Sequence, residues 1–327
     1  MPVDPYKITL LVVAGVMTVV FAWLLRPSAV VRPNALRDTA RRAGLAITPE
    51  VEPVLIARIR SRNRGTLIGT LIALIVATAS LVALPDSLDG GIWSALMIIV
   101  LTGLGGAVGL CVAEFRSAHV SLGDRPRVAR SPTPSRGDYL STVDLWCAPV
   151  AVAVSGVAMA AVAVLILADP DNVFRDASIP SLWWPGFLLW IVSLTSIGVG
   201  RILSTRLVGR GQPAGSDMEL AWSDALRSWT LRALVQTPAL GAFCSAVVVM
   251  TSLSTAVVTR QSGIATAVSL TSSVVLLVMS LGLAGASVFA MESRRPPHYL
   301  SRLWPDVAAE LRRGAYGVAA PVESGRP

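Results

Sequence analysis

Two short stretches of the chain combine an acid, an arginine and a histidine. They are Glu114-Phe-Arg116 followed by His119, and Glu292-Ser-Arg294 followed by His298, which between them use both histidines of the sequence. A carboxylate two residues from a guanidinium, with an imidazole one turn on, can hold an anionic headgroup, dock a partner or lock two helices by an ion pair. When exposed, such a Glu–Arg pair contributes well under about 1 kcal/mol. These six residues form the candidate interaction cluster. No P-loop, kinase signature, aspartate-rich metal motif or HExxH is present, so no catalytic residue, metal-ligand set or cofactor is assigned.

A second pattern points to different chemistry. After the apolar run Met97–Leu101, Thr102, Gly103, Gly106 and Gly109 fit TGxxGxxG, and Asp124 follows about twenty residues on. In a dinucleotide fold such glycines let the backbone approach a pyrophosphate, and the acid holds a ribose hydroxyl. That reading needs a strand, a turn and a helix in water. Here the glycines lie inside an unbroken apolar block between an acidic turn and a basic segment. Its start, GLGGA at 103–107, returns as GLAGA at 282–286. Gly103, Gly105, Gly106, Gly109, Gly282 and Gly285 are therefore assigned to close helix packing, since small residues four apart let helices touch.

The elements that must carry these residues are membrane helices. The chain is 53% hydrophobic and 15% charged, against about 25% charged in soluble domains, and its mean hydropathy is +0.64. Seven apolar blocks reach the roughly 20 residues a spanning helix needs. They are approximately 8–25, 66–84, 92–113, 147–168, 182–204, 238–258 and 264–290. Segments 26–65, 114–145, 201–235 and 291–327 hold 25 of the 27 arginines, whereas the alternate segments hold only Lys7, Arg175 and Arg260. By the positive-inside rule the N-terminus is expected outside and the C-terminus in the cytoplasm of a cell membrane. The first block is read as an uncleaved anchor rather than a signal peptide. Arginine placed at loops orients helices, so the +8 net charge is not taken as a nucleic-acid surface. The near absence of lysine is read as the codon bias of a high-GC bacterial genome.

The expected fold is thus an all-α membrane protein of seven spans. It divides into an anchor at 1–33, hairpin units at 34–116, 117–206 and 207–294, and a cytoplasmic tail at 295–327. The hairpins form a possible repeat of about eighty residues, and DYLSTVDLW at 138–146 echoes HYLSRLWPD at 298–306. Amphipathic surface helices are expected at 48–63, with Val51, Val54, Leu55 and Ile59 on one face, and at 216–235, capped by Ser216. Either they lie in the headgroup layer or they pack together as a cytoplasmic collar. Cys111, Cys147 and Cys244 are expected as buried thiols. The partners anticipated are membrane lipids together with a cytoplasmic or membrane protein, or a second copy of the chain. A scaffold or accessory subunit is the leading functional expectation. A permease-like component working with a separate ATPase is second, and an enzyme acting on lipid headgroups is third.

Overall fold

The computed structural model describes residues 5–24, 33–83, 92–117, 134–168, 179–212, 214–258 and 296–312. It is 89% helical and has no strand among those residues. The helices are α1 (Pro5–Leu24), α2 (Pro33–Ala43), α3 (Glu52–Ala83), α4 (Ile92–Ser117) and α5 (Arg136–Tyr139). They continue with α6 (Thr142–Ala168), α7 (Ile179–Val208), α8 (Asp217–Val258), α9 (His298–Leu303) and α10 (Pro305–Arg312). Five of them, α3, α4, α6, α7 and α8, are long and apolar enough to cross a membrane. The first anticipated span is the 20-residue α1, which rests on α3. The seventh, 264–290, lies outside the described residues, as do Asp124, His119, Glu292, Arg294, Gly282 and Gly285.

Helix α8 is the one the others pack around. It touches α4, α6 and α7, and its side chains from Leu220 to Leu253 are mostly buried. Helices α6 and α7 each meet α8 more extensively than they meet one another, so of the first two units the close two-helix hairpin is realised more fully by α3 and α4. Around α8, Met159 and Val162 of α6 meet Val249 and Met250, while Trp93 and Val100 of α4 meet Leu189, Cys244 and Val248. Pro238 interrupts α8 chemically without ending it. The Leu234 carbonyl loses its usual donor there, and α7 approaches it with Gly200, where a Cβ would lie 3.1 Å from that oxygen.

The two expected surface helices are not separate elements. Residues 52–63 are the first turns of the 32-residue α3, and 217–235 the first half of the 42-residue α8. Four alternating arginines followed by a lone glycine give the backbone no reason to stop, so the helix simply runs on into the apolar block. The caps stand where the sequence puts them at 216: Glu219 N–H donates to Ser216 Oγ (3.2 Å), and Gly215 N–H to Glu219 Oε2 (2.8 Å), a close variant of the capping box. The residue α3 begins on differs, since Thr48 accepts from Val51 and Glu52 through its backbone carbonyl and the helix starts at Glu52.

The arginine-rich ends of these helices share one core of their own. Leu36 and Ala43 of α2, Leu55 of α3, Leu207 of α7, and Trp222, Leu226 and Leu231 of α8 are buried together with Tyr139, Leu140, Tyr299, Leu300 and Ala308. The amphipathic faces are therefore spent on one another, as a collar. Val51 and Leu55 are buried and Ile59 packs against this core, but Val54 is 39% exposed and lies off the face.

Candidate functional site

Glu114, in the last turn of α4, is 1% exposed. Its carboxylate takes one guanidinium N–H from Arg58 and one from Arg62 at 2.7 Å. Arg62 also donates to the Leu226 carbonyl (2.9 Å) and to Thr230 Oγ1 (2.8 Å) on α8. The Glu114–Arg62 pair thus ties α3 and α4 to α8 through Arg62. Arg58 and Arg62 are one helical turn apart and share a face, which is why both reach it. The helix expected at 48–63 would end at these two arginines; instead α3 runs through them to Ala83. The pairing within the cluster is corrected too: Glu114 engages Arg58 and Arg62, while Arg116, two residues on, is exposed on another face.

His298 works elsewhere. Its Nε2 lies 2.9 Å from the Gly137 carbonyl, joining the start of α9 to α5. These two short helices carry the echoed Tyr-Leu-Ser, and the echo has a spatial counterpart. Tyr139 and Tyr299 are both buried, as are Leu140 and Leu300, and α5 and α9 pack against each other and against α8. Tyr139 donates to Asp224 Oδ1 (2.9 Å) and Trp304 Nε1 donates to Asp224 Oδ2 (3.0 Å), while Tyr299 donates to the Ala43 carbonyl (2.7 Å). Burial first, and the nearby Asp224 carboxylate second, push both tyrosine hydroxyls well above their ordinary pKa, so they stay protonated donors. A further carboxylate, Asp144, caps α6 through Ser141 and meets Arg232 and Gln236 at 3.3 Å.

Sequence reasoning missed Arg62, Asp224, Tyr139 and Asp144 as polar anchors. The signals were there for two of them: the four-residue spacing of Arg58 and Arg62, and the Tyr-Leu-Ser echo. Chemically, Glu114, Asp224 and Asp144 hold helices together, with each carboxylate already engaged. Among the described residues no three His, Cys, Asp or Glu side chains are grouped to hold a metal.

The glycines of the second motif sit in a continuous helix, not in a turn. Thr102 Oγ1 donates to the Ile98 carbonyl within α4, so the dinucleotide geometry does not arise. Gly105 and Gly109 of α4 face Gly69 and Gly65 of α3, and a Cβ at any of the four would overlap its partner's backbone. Gly106 faces Thr70 and Thr66. Gly103 instead looks toward Thr237 of α8, with room to spare (3.6 Å). Gly65 and Gly69 belong to this seam and were not singled out from the sequence, although GTLIG shows the spacing.

Beside the seam runs a half-open groove of about 830 Å³. Its floor is Gly65, Gly69 and Gly105, and its walls include Ile68, Ile72, Val108 and Val112. Arg60, Arg64 and Arg116 stand at its arginine-rich end, and among the described residues no acid lines it. Compared with family models, with curated proteins and with solved structures, the chain matches none.

Proposed function

We propose that this is a non-enzymatic, multi-pass membrane scaffold or accessory subunit that presents an arginine-bearing helical platform to a partner on the cytoplasmic side. In this reading α1 and residues 264–290 complete seven spans, with the N-terminus outside and the C-terminus in. The observation that carries it is the shared core at the arginine-rich ends. A basic segment that served only to orient helices would need no packed core, no buried Glu114–Arg62 pair and no Asp224 anchor. Building one makes sense where a fixed surface is to be shown. That surface includes Arg37, Arg41 and Arg42 on the outer face of α2, whose inner face buries Leu36 and Ala43.

The reading is tested by purifying the full chain from native membranes in mild detergent. A stoichiometric protein partner is expected, and replacing Arg37, Arg41 and Arg42 with glutamine should release it. A preparation without a stoichiometric partner, or one indifferent to those arginines, would overturn the reading. A stoichiometric ATPase would move the assignment to the transport component. Labelling of single cysteines placed near each terminus tests the orientation: the N-terminal one should react from outside intact cells and the C-terminal one only after permeabilisation.

A further inference from the structure

The groove beside the α3–α4 seam has the shape and charge of a lipid site, and we propose that it binds one anionic phospholipid of the inner leaflet. The phosphate would sit among Arg60, Arg64 and Arg116 and an acyl chain along the glycine floor. The inference needs α3 and α4 to face lipid and takes from the proposed reading only its orientation, with the arginine-rich ends inside.

Three observations argue for this occupant. The first is charge. Arg60 and Arg64 are one turn apart on α3, Arg116 stands opposite on α4, all three are exposed, and among the described residues no carboxylate lines the groove. Glu114, the nearest acid in sequence to Arg116, is turned away into its own pair with Arg58 and Arg62. Three guanidiniums at one mouth suit a phosphate, to which arginine gives forked hydrogen bonds. A neutral partner would leave them uncompensated.

The second is length. The apolar part of the groove runs from Gly65 to Val76 on α3, which is about 17 Å at the helical rise per residue. That matches one leaflet, about half of a hydrocarbon core roughly 30 Å thick. A docking transmembrane helix would use the whole depth. The third is relief. The floor is backbone, because Gly65, Gly69, Gly105 and Gly109 carry no side chain, whereas Ile68, Ile72, Val108 and Val112 are exposed along the walls. A thin flexible chain fits such a slot, and basic side chains at its mouth strengthen anionic-lipid binding by charge.

The test is native mass spectrometry of the full-length protein after exchange into neutral detergent containing phosphatidylglycerol or phosphatidylcholine. One phosphatidylglycerol should be retained per chain, with phosphatidylcholine held at least about tenfold more weakly. The R60Q/R64Q/R116Q variant should lose that preference. Val108→Trp, which fills the slot but keeps the arginines, should weaken retention of the intact lipid. Equal retention of the two lipids, an unchanged preference in the arginine variant, or no effect of Val108→Trp would overturn the proposal. Because all four altered side chains are exposed, folding is checked by the unchanged helical circular dichroism of each variant. A photoreactive benzoylphenylalanine at position 108 then identifies what lies in the slot. A phospholipid adduct supports the site, and an adduct to residues 264–290 or to a second copy of the chain contradicts it.

Discussion

The α3–α4 seam and the collar at the arginine-rich end hold the same helices by opposite means. In the seam the contact is backbone on backbone, made possible by side chains that are missing: Gly65 against Gly109 and Gly69 against Gly105. In the collar it is made by large side chains with polar tips. Trp222 reaches the Ala46 carbonyl at 3.1 Å, Tyr299 the Ala43 carbonyl, and Asp224 gathers Tyr139 and Trp304. The membrane reading proposed above explains the difference as one of solvent. Between apolar helices in lipid there would be no hydrophobic gain, so close approach and dispersion would do the work. Where the helices leave the apolar zone, burial of aromatics and satisfied hydrogen bonds stabilise the contact. Glu114 and its arginines lie at the junction, Glu114 following Ala113 directly and Gly109 by five residues.

The comparison breaks most severely at the seam. Gly105→Leu should prevent α3 and α4 from meeting and abolish the folded monomer in detergent, read by gel filtration and protease resistance. Gly103→Ala, two residues away, should be neutral or stabilising, since its Cβ would meet only a methyl of Thr237 at 3.6 Å and helix propensity improves by about 1 kcal/mol. A similar outcome for both would mean that glycine content, not register, matters.

At the junction, Glu114→Gln should cost about 3–5 kcal/mol, because it leaves Arg62 buried without a counter-charge. Arg116→Gln should stay within about 0.5 kcal/mol. Thermal unfolding followed by circular dichroism separates the two. In the collar, Asp224→Ala orphans a buried donor, Tyr139, and a half-buried one, Trp304, and should cost about 2–4 kcal/mol. Tyr299→Phe orphans one carbonyl and should cost about 1–2 kcal/mol.

The smallest effect is the pH dependence at Asp138. The Ser135 backbone N–H, at 2.7 Å, is the main reason its carboxyl is held below the usual value, helped by the Ser135 hydroxyl, Arg302 and His298. With the folded pKa depressed, this contribution is present above the unfolded value of about 3.9 and is lost as the pH falls through the lower folded value. Asp138→Asn should therefore lower the melting temperature slightly at neutral pH, and the difference from wild type should shrink as the pH falls through the lowered folded pKa.

What could be read from the sequence follows the same division. The apolar blocks within α3, α4, α6, α7 and α8 announce themselves by length, and the Gly105–Gly109 spacing announces the seam, because run length and small-residue spacing are both local patterns. The collar was half legible. Its amphipathic faces, with Leu55, Trp222 and Leu226 inward, showed that something is buried, but not that each segment continues a spanning helix. The polar anchors were the least legible. Whether Glu114 or Arg116 is buried depends on about half a turn of one helix against its neighbours, and no local pattern fixes that. Asp224 looks like any helix-surface acid until Tyr139 and Trp304, 85 and 80 residues away, close over it.

The central claim is that Glu114 and Arg62 form a buried strut on which α3, α4 and α8 are fixed, and a double-mutant cycle tests it most directly. Glu114→Met, Arg62→Met and the pair together are compared by denaturant or thermal unfolding in one detergent. Each single change should be strongly destabilising, and the double variant should cost about 1–3 kcal/mol less than the two single losses summed. Single variants close to wild type, or losses that simply add, would contradict the account.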